Sequence, residues 1–292
     1  MPPSVLSRAA VPDPNSFTAA PRADRIYLQN HAGEEEMTNS LAPPIQARGT
    51  NLTQRTVALI AGISLLILAV LAAFAQFGVL QALIVPADAE TTVDNLVASN
   101  GLFRVGILAF LIVILLDVVV AWALYVLLRP ASAGVALLAG WMRLAYTAVF
   151  AVAVANLLDV AQLLGGGQAS PLAPEQLQAQ VTASIASFNS GWDIGLAIFA
   201  LHLLGIGFLL WKSAHFPRFL GVLVATAGGG YLADSVGTVL VTDYSLTISV
   251  FTFVGEALLI PWLLWKAIRG FPATADDPGA VEPHLAQPAA VA

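Results

Sequence analysis

Long apolar runs alternate with short polar segments along most of this chain, and six of the runs are long enough to cross a membrane. Each reaches or exceeds the ~20 residues that span ~30 Å of hydrocarbon as an α-helix. In lipid, every backbone N–H and C=O must be bonded within its own segment, so these spans are predicted to be helical. The spans are residues 56–80, 102–128, 134–163, 191–211, 218–241 and 248–268. The pattern therefore predicts an all-α, six-helix integral membrane protein.

Polar segments flank this predicted membrane domain of residues 53–271. Residues 1–52 and 272–292 are rich in Pro and Ala and show no apolar period, so both are predicted to be disordered tails. The first apolar run begins near Val57 and exceeds the ~7–15 apolar residues of a cleavable signal peptide, so we expect it to stay in the membrane. Met37 is an alternative start to Met1, because residues 37–55 would still provide a polar segment of ordinary length before the first span.

Two of the connections between spans have helical spacing. Residues 86–100 begin with helix-starting residues and then place valines and a leucine at helical intervals, which predicts a short amphipathic helix on the outer surface. Residues 174–188 place apolar side chains three or four residues apart. This predicts either a second interfacial helix or an outward extension of the fourth span.

The distribution of basic residues predicts the orientation. The chain of 292 residues is 58% hydrophobic and only 10% charged, and its segments before, between and after the spans carry bases alternately. Basic residues lie before the first span, between the second and third, from the end of the fourth to the start of the fifth, and at the end of the sixth. They are Arg48, Arg55, Arg129, Lys212, Arg218, Lys266 and Arg269. Loops 81–101 and 165–190 carry acids but no base. By the positive-inside rule, both termini are predicted to be cytoplasmic and the protein to be a multi-pass protein of the inner (plasma) membrane.

Composition also excludes several kinds of chemistry. Cysteine is absent, which removes disulfides, thiolate nucleophiles and cysteine metal sites. No basic patch favours nucleic acid, and no catalytic or nucleotide-binding motif is present. His202 is the only one of four histidines within a span, so we predict no metal, no cofactor and no catalytic residue. The lipid bilayer is the expected partner, a small-molecule or protein partner is unidentified, and a homo-oligomer is compatible with the sequence.

Four ionisable residues share one predicted depth near the bilayer midplane. Asp117 lies twelve residues before Arg129, which places it roughly 18 Å from the basic end of its span. His202, Glu256 and Arg143 each lie about ten residues from the same side, or roughly 15 Å. Buried charges in a membrane cost ~2.5–3.5 kcal/mol each, so they normally face the protein interior or water. These residues form the candidate binding layer.

Each member of this layer has a structural as well as a functional interpretation. Asp117 and Arg143 belong to consecutive spans, and an ion pair between them would lower both insertion costs. His202 is either a hydrogen-bonded core residue or, beside Glu256, a proton relay. Glycines 228–230 and Pro261 interrupt spans at the same depth, which indicates either a binding site or close helix packing.

A second set of polar residues lies nearer the outer surface. Arg104 opens the second span and Asp193 the fourth, so these two side chains could pair. Tyr231 and Asp234 are three residues apart and share a helix face. The four residues are either solvated interfacial groups or the acidic mouth of a cavity that leads to the midplane layer.

Several stretches of the predicted membrane domain resemble a known family. They are 83–88 with Asn95, 102–104, Asp117, 124–130, 143–144, 201–202, 216–217, 220–221, 230–235 and 255–256. From about residue 54 to 271 the chain resembles the bacterial family called domain of unknown function 4386. The resemblance implies a multi-pass bacterial membrane protein, and it brings no catalytic residues.

Two function classes fit these observations, and we lean slightly to the first. The first is a small-molecule or proton-coupled transporter, in which Glu256 and His202 bear protons and the Asp117–Arg143 pair is a gate or brace. The second is a non-catalytic scaffold or regulatory partner whose buried charges are structural. An intramembrane enzyme is the least supported, because no nucleophile lies beside a suitable base.

Overall fold

The computed structural model describes residues 52–165, 172–242, 244 and 246–270, which form seven helices joined by short connections. They are α1 (Gln54–Leu83), α2 (Ala89–Ala98), α3 (Asn100–Leu128), α4 (Ala133–Leu163), α5 (Pro174–Lys212), α6 (Arg218–Leu240) and α7 (Ser249–Arg269). All except α2 are long and apolar enough to cross a membrane. The predicted all-α fold with six spanning helices is confirmed. The two predicted tails and the choice of start residue lie outside the described residues.

The six spanning helices form a closed ring. Each packs against its neighbours in the sequence, and α7 returns to pack against α1. Successive helices run in opposite directions, so the ends that carry Arg129, Lys212 and Arg218 lie together at what we call the basic end. The ring encloses one side of every helix and turns the other side, with its apolar side chains, outward.

Glycines bring five of the six helix pairs into close contact. A Cβ atom added at any of these positions would approach the neighbouring helix to 2.8 Å or less: Gly62 against α7, Gly106 against α1, Gly191 against α4, Gly207 against α6 and Gly255 against α6. Helices in lipid associate largely through such packing of small residues. The α3–α4 pair differs, since the nearest glycine contact there is the 3.9 Å from Gly140 to the carbonyl oxygen of Ala121. That pair is joined instead by charged side chains.

Helices α2 and α5 contain the two connections for which the sequence predicted helical structure. Asp88 caps α2, with its carboxylate accepting a hydrogen bond of 2.9 Å from the amide of Thr91, so the predicted short helix is present. This bond lowers the pKa of Asp88. Residues 174–188 form the outward extension of the fourth span, because α5 is one uninterrupted helix of 39 residues. At 1.5 Å per residue α5 is roughly 58 Å long, about twice the thickness of the hydrocarbon layer.

Two arginines cap the carboxyl ends of helices far away in the sequence. Arg55 of α1 donates hydrogen bonds to the carbonyls of Ala267 and Ile268 in the last turn of α7. Arg104 of α3 donates a bond of 2.7 Å to the carbonyl of Ala161 in the last turn of α4. The last carbonyls of a helix have no partner within it and carry partial negative charge, so a cation stabilises them.

Two of the spanning helices depart from regular α geometry. In α1, residues Phe74–Leu80 form a π-helical segment. In α7, a break at Phe253 separates Ser249–Thr252 from Val254–Arg269. The helix ends before Gly270, whose φ of 85° lies in the left-handed region that glycine adopts easily. The break in α7 lies three residues before Glu256, one of the predicted site residues.

Candidate functional site

An ion pair between α3 and α4 forms the centre of the predicted midplane layer. The Nε and Nη2 atoms of Arg143 both donate to the Oδ1 atom of Asp117, with a distance of 2.9 Å for Nε. The two side chains are 2% and 1% exposed. The ion pair expected between these consecutive spans is therefore present, and it replaces the glycine contact that joins the other helix pairs.

His202 of α5 extends this pair to a third helix. Its Nε2 atom lies 3.2 Å from Nη1 of Arg143, and its Nδ1 atom lies 2.8 Å from the carbonyl oxygen of Ala139. A carbonyl oxygen only accepts hydrogen bonds and a guanidinium only donates them. Nδ1 must therefore carry the proton and Nε2 must be bare, so this bonding pattern holds the imidazole neutral.

Aromatic rings surround the arginine and the histidine. The ring of Phe199 lies 5.3 Å from the guanidinium carbon of Arg143 and stacks on His202 with ring centroids 5.5 Å apart. Tyr146 of α4 and Tyr231 of α6 contact the same phenylalanine, at 4.8 and 5.9 Å. A cation over an aromatic face is stabilised by the ring quadrupole. These rings keep the charged centre dry and connect it to α6.

Glu256 reaches the same region from α7 but stands apart from the bonded group. Its side chain is partly buried, and it interacts electrostatically with Arg143, Asp117 and Tyr231. Within the described part of the chain its carboxylate has no hydrogen bond or ion pair. The proton relay considered between His202 and Glu256 is not built into this arrangement, because both ring nitrogens of His202 are already bonded to other groups.

Asp117 also has a carboxylate oxygen without a hydrogen-bond partner among the described residues. The Oδ2 atom of Asp117 is buried and accepts no hydrogen bond from the described residues. Leaving a buried acceptor unsatisfied costs ~1–3 kcal/mol, and more when the group is charged. The layer thus combines a fully bonded arginine and histidine with two carboxylates that retain unused oxygen atoms.

The predicted outer residues do not form one group. Arg104 is exposed and donates to Asn100 at 2.8 Å as well as to the end of α4, so the pairing considered with Asp193 is not present. The backbone carbonyl of Asp193 instead lies 3.4 Å from the hydroxyl of Ser235. Tyr231, the third of the four, belongs to the aromatic rings around the midplane centre.

Asp234, the fourth outer residue, holds the connection between α6 and α7. Its carboxylate accepts hydrogen bonds from the Tyr244 hydroxyl at 2.7 Å and from the amides of Ile248 and Ser249 at 2.9 and 2.8 Å. The hydrogen bond to this carboxylate raises the pKa of Tyr244. Asp234 thereby caps the start of α7 across a loop. This geometry favours a structural role over the mouth of a cavity.

The glycines at midplane depth serve helix packing. A Cβ atom on Gly228 would lie 2.8 Å from the carbonyl oxygen of Ala200 in α5, and one on Gly230 would collide with Thr252 of α7. Gly229 faces open space. Of the two interpretations for this glycine run, close packing is therefore the one that the geometry supports at two of its three positions. Pro261 lies inside α7, which continues past it to Arg269.

The sequence analysis did not single out Phe199 or Tyr146, two of the aromatic residues of this site. Phe199 lies three residues before His202, and Tyr146 three residues after Arg143, so each shares a helix face with a charged neighbour. That spacing was available in the sequence. Aromatic residues are common in every span, however, and only the packing of four helices selects these two. Among the described residues, no group of three or more His, Asp and Glu side chains is placed to hold a metal ion.

Comparisons with known proteins point to one family. Residues 60–267 match the family described as "Domain of unknown function (DUF4386)". An "Uncharacterized protein" of Archaeoglobus fulgidus is 32% identical over 161 residues, which cover 55% of this chain and 83% of that protein. No solved structure matches the chain.

Proposed function

Since the chain belongs to the family described as Domain of unknown function (DUF4386) and has six helices suited to crossing a membrane, we propose that it is a proton-coupled transporter of a small molecule. In this proposal Glu256 is the group that takes up and releases the positive charge. Asp117, Arg143 and His202 are the brace against which α7 moves.

The observation that carries the proposal is the charge left over in the midplane layer. The ion pair of Asp117 and Arg143 cancels, and the bonding of His202 makes it neutral. Glu256 then remains as a carboxylate without a partner among the described residues. A charge at this depth costs ~2.5–3.5 kcal/mol, so the layer favours binding one proton.

Electrostatics would couple that binding event to the brace. An ionised Glu256 attracts Arg143 and repels Asp117, so it competes with Asp117 for the same guanidinium. Neutralising Glu256 removes that competition and strengthens the contact between α3 and α4. Because Glu256 is on α7, its charge state sets how strongly α7 is drawn to the other three helices.

Flux in proteoliposomes tests this proposal. Purified protein is reconstituted with a trapped pH-sensitive dye, a potassium-diffusion potential is applied, and proton entry is followed with pools of small metabolites outside. We expect wild type to exceed protein-free liposomes in at least one pool and Glu256→Gln to lose that flux while remaining folded. Glu175→Gln is the matched control, because Glu175 is exposed in the first turn of α5. Wild-type flux no higher than that of protein-free liposomes in every pool, or full flux in Glu256→Gln, would contradict the proposal.

A second function is favoured by the completeness of the bonded group. Both ring nitrogens of His202 and all three side-chain nitrogens of Arg143 have partners, and the side chains are almost fully buried. Such a brace needs no ligand, which suits a non-catalytic scaffold or regulatory partner. Crosslinking in native membranes separates the two functions. A stable complex with another protein, together with absence of flux, would favour the scaffold.

We also propose that the basic end faces the cytoplasm and that the protein lies in the inner (plasma) membrane. The alternation of basic and base-free loops supports this orientation. The chain contains no cysteine, so single cysteines can report sidedness without background. In intact cells, a membrane-impermeant maleimide should label Ala98→Cys at the opposite end and leave Ala214→Cys at the basic end unlabelled. The reverse labelling would overturn the orientation.

A further inference from the structure

A groove lies between α5 and α6 near the basic end of the bundle. Its volume is about 430 Å³, within the ~300–1,000 Å³ range of small-ligand sites. Phe208 and Trp211 of α5 form one wall, and Val222 and Thr226 of α6 form the other. Phe208 and Trp211 are each about half exposed. The groove thus opens on the surface that the ring turns towards lipid.

Backbone contact between the two helices forms the floor of this groove. A Cβ atom on Gly221 would lie 2.7 Å from the carbonyl oxygen of Gly207, so neither position tolerates a side chain without moving a helix. The Thr226 hydroxyl donates to the carbonyl of Val222 at 2.9 Å within its own helix. With that hydroxyl satisfied, the lining presents mainly apolar atoms. Its shape and polarity suit a hydrocarbon chain.

A cationic group adjoins the groove at its basic end. The guanidinium of Arg218 lies over the ring of Trp211, with its carbon 6.0 Å from the ring centroid. Arg218 is exposed and is the first residue of α6, whose preceding residue, Pro217, provides no side-chain cap. The amides at the start of a helix carry partial positive charge and favour an anion. The groove therefore has an apolar body and a cationic end.

We propose that this groove binds one acyl chain of an anionic glycerophospholipid, whose phosphate lies at Arg218 and the start of α6. The charge at one end and the apolar walls match the two parts of such a lipid, whereas a free phosphate would use only the first part. The lining residues of α5, from Leu204 to Trp211, extend roughly 10 Å along the helix axis. The site does not depend on transport.

Native mass spectrometry of the purified protein in detergent tests this site. The protein is titrated with dioleoyl phosphatidylglycerol and, separately, with dioleoyl phosphatidylcholine of equal chain length. We expect tighter binding of phosphatidylglycerol. Arg218→Gln should weaken it about fivefold, as expected for one basic residue at a membrane surface, with little effect on phosphatidylcholine. Arg218→Lys should restore most of the affinity.

Two further variants separate this groove from general attraction to a basic surface. Thr226→Phe should weaken binding of both lipids, because it fills the groove from an exposed position. Arg129→Gln removes an equally exposed arginine at the basic end outside the groove, and it should leave binding unchanged. Equal affinities for the two lipids, equal losses in the two glutamine variants, or full binding in folded Thr226→Phe would each overturn the proposal.

Discussion

Removing Arg143 alone should destabilise the bundle more than removing both members of its ion pair. In Arg143→Met, the carboxylate of Asp117 stays 1% exposed but loses both of its donors, and Nε2 of His202 loses its donor as well. An unpaired buried charge costs about 3–5 kcal/mol, and a central aspartate costs ~2.5–3.5 kcal/mol on insertion scales. We therefore expect a loss of about 3 kcal/mol or more.

The double variant Asp117→Leu with Arg143→Met removes both members of the ion pair, so neither charge is left buried without the other. Replacing a buried ion pair by apolar side chains of similar volume is often neutral or stabilising. We expect its free energy of unfolding to lie within about 1 kcal/mol of wild type, after allowing ~0.6 kcal/mol for the lost hydrogen bond to His202. The coupling energy between the two positions should then be at least about 2 kcal/mol.

Reversible unfolding in mixed micelles provides the measurement. Sodium dodecyl sulfate is titrated into wild type, both single variants and the double variant, and helicity is followed by circular dichroism. Arg129→Met, at an exposed position, is the control and should change stability by less than about 0.5 kcal/mol. Additive energies, or a double variant as unstable as Arg143→Met, would refute the reasoning that pairing offsets burial here.

Three further predictions concern helix packing, a loop and a helix end. Gly221→Ala should lower the free energy of unfolding by about 1–3 kcal/mol, because the added atom would lie 2.7 Å from the backbone of α5. Gly229→Ala, which faces open space, should be neutral or stabilise by up to about 1 kcal/mol in the same titration. The hydrogen bond from the Tyr244 hydroxyl to the carboxylate of Asp234 raises the pKa of Tyr244. This bond therefore stabilises the fold below the ordinary pKa of tyrosine, and the stabilisation is lost as the pH rises through the raised pKa. The alkaline difference spectrum between wild type and Tyr244→Phe should therefore show a tyrosine that titrates above ~10, and an ordinary value would contradict the bond. Arg55→Gln should speed amide hydrogen exchange in the last turn of α7, because the side chain bonds to two carbonyls there, whereas Arg129→Gln should leave that exchange unchanged.

The heights of the charged residues along their helices could be counted from the sequence, but among their partners it predicted only the pair of Asp117 and Arg143. Counting residues from the basic end placed Asp117, Arg143, His202 and Glu256 at one height, because the rise per residue of a helix is constant. Which way each side chain points depends on the rotation of its helix, and that is set by packing. His202 was grouped with Arg143 by height and lies 3.2 Å from it, yet its bond to the backbone of Ala139 had no sequence signal.

Helix ends were harder to predict than helix cores for a related reason. Hydropathy follows the lipid boundary, so it predicted that the fourth span begins near residue 191. The hydrogen-bonded helix begins earlier, at Pro174. The residues beyond the boundary are polar enough to meet water but still have helical spacing, with Val181, Ile185 and Phe188 buried. Asp234 was assigned to the outer surface from its position. Its capping role required knowing where the following loop turns back.

Closure of the ring has a consequence for how the protein is made. Arg55 must find its partners on Ala267 and Ile268, which are synthesised more than 200 residues later. At ~5–20 residues per second, the ribosome needs roughly 10–40 s to supply them. During that interval the side of α1 that later packs against α7, including the surface at Gly62, is exposed to lipid or to the insertion machinery. The last helix therefore acts as the closing step of biogenesis, and a chain that stops before Ser249 would leave the membrane with an open five-helix arc.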